Sequence, residues 1–147
     1  MVTVGKLSIT HFLIYFVVQT AGAYLGAACC YVVYYDEIEK FTGGARLITG
    51  PKATAGIYAS FPKPHLSHFT CFLDQFVGTA LLLLFVFIII DRRNRIPIGI
   101  QPLLIGIGLF VVGNCYGMNL GYPINPARDL GPRLFALTNG YGWEVFS

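Results

Sequence analysis

Two side chains at the close of a long apolar run have the chemistry to sort small molecules: the amide of Asn125 and the guanidinium of Arg128. They stand in Gly121-Tyr122-Pro123-Ile124-Asn125-Pro126-Ala127-Arg128-Asp129. Asn is a preferred N-cap and Pro is suited to the first helical position, so this stretch predicts a helix that starts here and runs through Phe135 or slightly beyond. The cap oxygen of Asn125 then takes the helix's own first N–H groups, which leaves its NH₂ as a donor into any adjoining lumen. Arg128 falls in the first turn, where the helix dipole disfavours a cation by about 0.3–1 kcal/mol, so stability does not account for it. Carbonyls of Gly121 to Ile124 on one side, and the donors of Asn125 and Arg128 on the other, can replace the hydration of a small neutral solute. Apolar walls accept its carbon atoms, and the positive half-helix end with Arg128 opposes cations and protons.

That is selection without bond-making. The sequence holds no nucleophile–base pair, no phosphate-binding glycine loop and no metal cluster: His65 and His68 lack further ligands nearby, and Cys29, Cys30, Cys71 and Cys115 follow no zinc or redox spacing. No enzyme activity, metal or cofactor is expected, and the modest net charge of +3 offers no nucleic-acid patch.

The elements that must hold these groups lie in membrane. From Ile96 to Ala127 there are 32 residues without a charge. A half-helix of about 10 residues covers roughly half of a ~30 Å hydrocarbon core. The economical reading is a full helix that breaks near Asn119, re-enters as extended backbone, and restarts at Asn125 pointing back out. Exposed N–H and C=O groups cost several kcal/mol each in lipid, so such backbone must be buried in protein or line a wet cavity. Within the half-helix, Pro132 removes the bond to the carbonyl of Arg128. Asp129 and Arg133, four apart with the acid first, offset part of the cost of Arg128.

The composition is 55% hydrophobic and 12% charged, about half the charge of a soluble domain. The apolar residues come in long spans, which predicts an all-α membrane protein. Spanning helices are expected at about 8–35, 69–90 and 98–119. Gly22 and Gly26 suggest one face of the first that a neighbouring helix approaches closely, and Lys6 bounds it. Residues 36–68 form a long connection rich in Gly and Pro, whose Ile57, Tyr58 and Phe61 argue for a folded vestibule lid over a disordered loop. Ser67 can cap the second helix, where Gln75 faces protein. Arg92, Arg93 and Arg95 crowd a short loop that is cytoplasmic by the positive-inside rule, so the long loop lies outside and the re-entrant stretch enters from the outer face. Gly113, Gly117 and Gly121 recur every four residues as a close-packing or pore-lining stripe. Asn139-Gly140-Tyr141-Gly142-Trp143 reads as a turn at the outer interface.

At these residues the chain resembles the aquaporin superfamily, and its aquaglyceroporin branch in particular. The resemblance rests on Asn125-Pro126-Ala127-Arg128-Asp129, on Gly131-Pro132-Arg133, and on Thr54-Ala55-Gly56-Ile57-Tyr58-Ala59-Ser60-Phe61-Pro62, which is similar to that branch's long outer loop. Water-selective relatives usually lack both that loop and the Asp after the Arg. The resemblance covers nearly the whole chain and corresponds to the third, fourth and fifth membrane helices and the second half-helix of a six-helix right-handed bundle.

It implies one partial channel domain over 1–147, with the re-entrant loop and half-helix at 120–136. Asn125, Pro126, Ala127, Arg128, Tyr122, Gly113, Gly121, Pro123 and Ile124 would line the pore, supported by Asp129, Gln75 and Arg133. Gly113, Tyr122 and Arg128 fall at the narrow aromatic/arginine constriction, and the glycine leaves room for glycerol. The resemblance further implies glycerol and water as permeants, a multi-pass protein of the plasma membrane in contact with the lipid bilayer, and a homotetramer when full length. Gln75 with Gly78-Thr79 resembles the family's pattern on this helix, where the polar side chain supports the re-entrant loop by hydrogen bonds; the alternative is a satisfied polar residue between helices.

The chain departs from the family in lacking a first Asn-Pro-Ala motif and a membrane helix after the half-helix. The expectation is therefore a partial chain that inserts but does not conduct alone. A non-conducting fragment or isoform beside full-length subunits competes with the channel reading. So does a carrier, which would call for a second broken helix in an inverted repeat.

Overall fold

The computed structural model describes Val2, Gly5 and residues 7–147; Lys6, read above as the boundary of the first span, lies outside the described residues. Among the described residues five α-helices follow one another: α1 (Ile9–Val33), α2 (Tyr35–Thr42), α3 (His68–Ile90), α4 (Gln101–Tyr116) and α5 (Pro126–Ala136). No strand occurs among the described residues. Three helical segments are long and apolar enough to cross a membrane: Ile9–Val33, His68–Ile90, and Ile98–Tyr116, the last counting the 3₁₀ turn ahead of α4. Their apolar side chains stand largely exposed, Phe69 at 71% and Phe110 at 70%. Water would not tolerate that surface; hydrocarbon or neighbouring helices would.

The backbone gathers into two compact units, one of residues 1–59 with 125–147 and the other of residues 60–124. In the first, α1 starts on a Ser8 cap whose hydroxyl accepts from His11 N–H at 3.2 Å. The half-helix α5 lies along α1 at closest approach through Gly131, where an added Cβ would stand 2.6 Å from the Thr20 carbonyl oxygen and 2.7 Å from the Ala23 Cβ. Thr20 and Ala27 are the buried residues of α1, and with Ala23 and Tyr24 they share one helical face. The small-residue face expected at Gly22 and Gly26 is a different one: an added Cβ at either meets nothing within 4 Å. A two-residue offset turns a side chain about 200° around the helix, so that pair faces away from α5. Gly131→Leu is expected to lower stability by about 1–3 kcal/mol, since neither backbone can yield without moving a helix; thermal unfolding in detergent checks it.

The connection from Asp36 is less irregular than the sequence suggests. Its first seven residues with Tyr35 make α2, which has Asp36 and Glu37 in its first turn, Lys40 in its last, and a left-handed Gly43 at φ 66° as its stop. Charges of both signs thus sit where the helix dipole favours them, but two turns are too few to register as a period. Beyond α2 the loop folds onto the unit: Thr54 and Tyr141 share a hydroxyl hydrogen bond of 2.6 Å. Phe135, at the C-terminal end of α5, meets the rings of Tyr24, Tyr31 and Tyr58 at 5.4–5.8 Å between centroids. Arg46 donates to the Tyr31 hydroxyl at 2.7 Å and pairs with Glu39. Burial pushes the Tyr58 and Tyr141 phenols up, so both stay neutral in this cluster.

In the second unit Ser67 caps α3, accepting from Thr70 N–H at 3.1 Å. The arginine loop after it is a 3₁₀ turn, Arg92–Asn94. The Arg93 guanidinium and backbone N–H on Asp91 hold that carboxyl down at about 2. Its folded value lies below the ordinary one, so the pair persists at neutral pH and is lost only as pH falls toward about 2. The third span ends at Tyr116, three residues before the expected Asn119. Residues 117–120 form a turn closed by Gly121 N–H on the Gly117 carbonyl at 3.2 Å, and the side chain of Asn119 is engaged elsewhere.

Candidate functional site: a capped half-helix behind an extended segment

Gly121 adopts φ 74°, a left-handed conformation that glycine takes without strain, and an added Cβ would also come 3.0 Å from the Ser60 hydroxyl. From there to Ile124 the backbone has no regular structure. Asn125 follows in extended conformation, φ −121° and ψ 113°. Its Oδ1 accepts from Ala127 N–H at 3.0 Å and Arg128 N–H at 3.3 Å. With the oxygen committed to the cap, the NH₂ is the end of the side chain that can face a solute. Pro126 opens α5 and has no N–H to satisfy there.

Arg128 is exposed in the first turn of α5. One turn on, Arg133 Nε donates to Asp129 Oδ2 at 2.6 Å in a pair whose side chains are only 15% and 21% exposed. Arg133 also donates to the Val145 carbonyl, so besides complementing Asp129 it fastens the half-helix to the 3₁₀ turn Trp143–Phe146. Between them, residues 137–141 wind as a π turn in which Gly140 reaches φ 91°. The expected outer turn is therefore a helical extension followed by a sharp reversal.

The N-terminus of α5 adjoins a cavity of about 730 Å³ walled by Phe12, Tyr15, Phe16, Pro126 and Ala127, with Gln19 and Asn125 among the lining residues. Gln19 was not singled out in the sequence; the signal available was a lone amide in an otherwise apolar span. Tyr122 and Gly113 come together in the other unit. The Tyr122 ring lies over the helix so closely that a Cβ on Gly113 would stand 2.9 Å from its Cζ, and one on Gly117 3.4 Å from a ring carbon. In this arrangement the glycine stripe seats the tyrosine, and Gly113 is buried beneath it. Each group is assembled inside its own unit: Asn125, Pro126, Ala127, Arg128, Asp129 and Arg133 in one, Gly113, Gly121, Tyr122, Pro123, Ile124 and Gln75 in the other.

Gln75 does not bond the re-entrant backbone among the hydrogen bonds of the described residues. Its Nε2 donates to its neighbour Asp74 at 2.9 Å, and Asp74 in turn accepts from Asn119 Nδ2 at 2.8 Å. Asp74 has its own signal in the sequence, a carboxylate inside an apolar span.

Three helices long and apolar enough for hydrocarbon, and a short capped helix reached through irregular backbone, define an all-α membrane protein. The family described as major intrinsic protein matches residues 1–146, and the chain belongs to that family, the aquaporins, in its aquaglyceroporin branch. It is 45% identical over 148 residues to aquaporin-10 of Homo sapiens, covering 100% of this chain and 49% of that protein. It is equally 45% identical to aquaporin-9 of Mus musculus, over 100% of this chain and 50% of that protein. With aquaporin-7 of Rattus norvegicus the figures are 42%, 97% and 54%. The chain spans about half the length of the curated relatives it matches.

Proposed function

We propose that this chain supplies half of a passive channel for glycerol, water and other small neutral solutes, in a multi-pass protein of the plasma membrane that assembles as a homotetramer. The observation that carries the proposal is the Asn125 cap. It turns the donor end of one amide away from the helix it starts, at the point where irregular backbone gives way to α5. A polyol needs donors and acceptors at once, and the segment from Gly121 to Arg128 supplies both within eight residues. The apolar walls near Asn125 suit the carbon side of such a solute. Asp129 and Arg133 hold the half-helix, and Gln75 acts within its own unit through Asp74.

Tyr122 sets the width of the passage in this reading, with Gly113 as its seat. Gly113→His adds bulk where the ring now rests and drives the tyrosine outward. Glycerol flux is expected to fall more than water flux, by about tenfold or more, since the larger permeant meets the narrowed section first. Swelling assays on cells expressing the variant check it, and equal losses of both fluxes would speak for misfolding or a different constriction. The second reading is a non-conducting subunit that associates with complete ones; the chain covers about half of each relative's length.

A further inference from the structure

Asp74 is a carboxylate one turn and more inside a span, and an ionisable group at such a position is costly unless partners are built for it. Two amides converge on it from different places. Gln75 Nε2 donates to Oδ2 at 2.9 Å, and Asn119 Nδ2 to Oδ1 at 2.8 Å. Asn119 is 45 residues away in the turn between the end of α4 and the segment Gly121–Ile124, so the second bond ties that turn to α3. Gln75 makes its contact at a cost to itself. Its Oε1 is buried with no hydrogen-bond partner among the described residues. Flipping the amide would place that oxygen against the carboxylate, so the orientation is set by what Asp74 needs.

We propose that Asp74 is a positioning residue for solute selectivity: through Asn119 it fixes the turn from which the carbonyls of Gly121 to Ile124 are presented to the permeant. The inference rests on the channel reading. A shift of these carbonyls by a fraction of an ångström changes how well they replace the hydration of a polyol, while water, smaller and isotropic, is less affected. Gln75 orients the carboxylate, and Asn119 receives its pull.

The test uses the complete channel containing this sequence, in vesicles, with Asp74→Ala, Asn119→Ala and the exchange Asp74→Asn with Asn119→Asp. In the exchange the carbonyl oxygen of residue 74 still accepts from Gln75, and its NH₂ donates to a carboxylate at 119, so the tether is rebuilt with the charge relocated. Each alanine variant should change the ratio of glycerol to water permeability about threefold or more, and the exchange should bring it back within about twofold, a coupling of the size neighbouring groups show. Hydrogen exchange over residues 117–124 should quicken in the alanine variants and slow again in the exchange. An unchanged ratio, an exchange variant no better than the single ones, or unaltered hydrogen exchange would each overturn the inference. If the unaltered channel passes neither solute, the channel reading falls instead, and hydrogen exchange still decides whether the tether exists.

Discussion

Replacing Arg128 by valine is expected to open the channel to cations and protons while leaving glycerol and water flux within a few fold. Arg128 stands exposed in the first turn of α5, where its charge adds to the positive end of the half-helix dipole. At an effective dielectric constant of about 20, a unit charge roughly 8 Å from a permeating cation raises its energy by about 2 kcal/mol, equivalent to about thirtyfold in local occupancy. Valine removes that barrier and a bulky planar group together. Voltage-clamped oocytes expressing the variant should show cation or proton conductance raised about tenfold or more over the unaltered channel. Conductance at the unaltered level would mean that the filter is another group. Asp129 and Arg133 pair with each other one turn on, and thermal stability of the variant in detergent separates a lost filter from a disturbed α5.

The 147 residues by themselves are expected to insert and not to conduct. An α5 of 11 residues spans about 16 Å, roughly half the hydrocarbon thickness. A continuous path requires groups to meet the solute over the other half. The cavity beside Asn125 is walled mostly by aromatic and aliphatic side chains, with the Gln19 and Asn125 amides as its few polar groups, too few to replace a polyol's water along a whole path. In purified vesicles the chain should add no glycerol permeability over lipid alone, and it should resist unfolding better when complete subunits are present. A specific flux from the chain alone would show that copies of it complete the passage for one another.

Much of this was legible in the sequence because the signals were chemical and local. Asn125-Pro126 marks a helix start whatever surrounds it, and Asn125 caps α5 as that pattern demands. The three spans announce themselves by length and absence of charge. What could not be read depends on contacts distant in sequence. The fourfold glycine spacing says that something comes close to α4, but only the folded turn brings the Tyr122 ring onto Gly113. Gly22 and Gly26 carry the same signal on α1, yet α5 chose the Thr20 face, since Gly131 fits there against backbone. The break after Tyr116 came early because Asn119, read as helical, reaches across to Asp74. α2 was hidden by its shortness, and its dipole charges became meaningful only once Gly43 was seen to end it.

Passage of a polyol through this site turns on the amide of Asn125 donating to the permeant. Asn125→Asp tests it without disturbing the fold, because Asp is as good an N-cap and its carboxylate can accept from Ala127 and Arg128 N–H as the amide oxygen does. What changes is the solute-facing side, which loses a donor and gains a negative charge. The measurement is stopped-flow glycerol permeability of vesicles holding equal amounts of the complete channel with and without this substitution. The account predicts permeability well above that of protein-free vesicles for the unaltered channel, and a loss of about tenfold or more in the variant at unchanged thermal stability. Permeability equal in the two, or no greater than that of lipid alone in the unaltered channel, would contradict it.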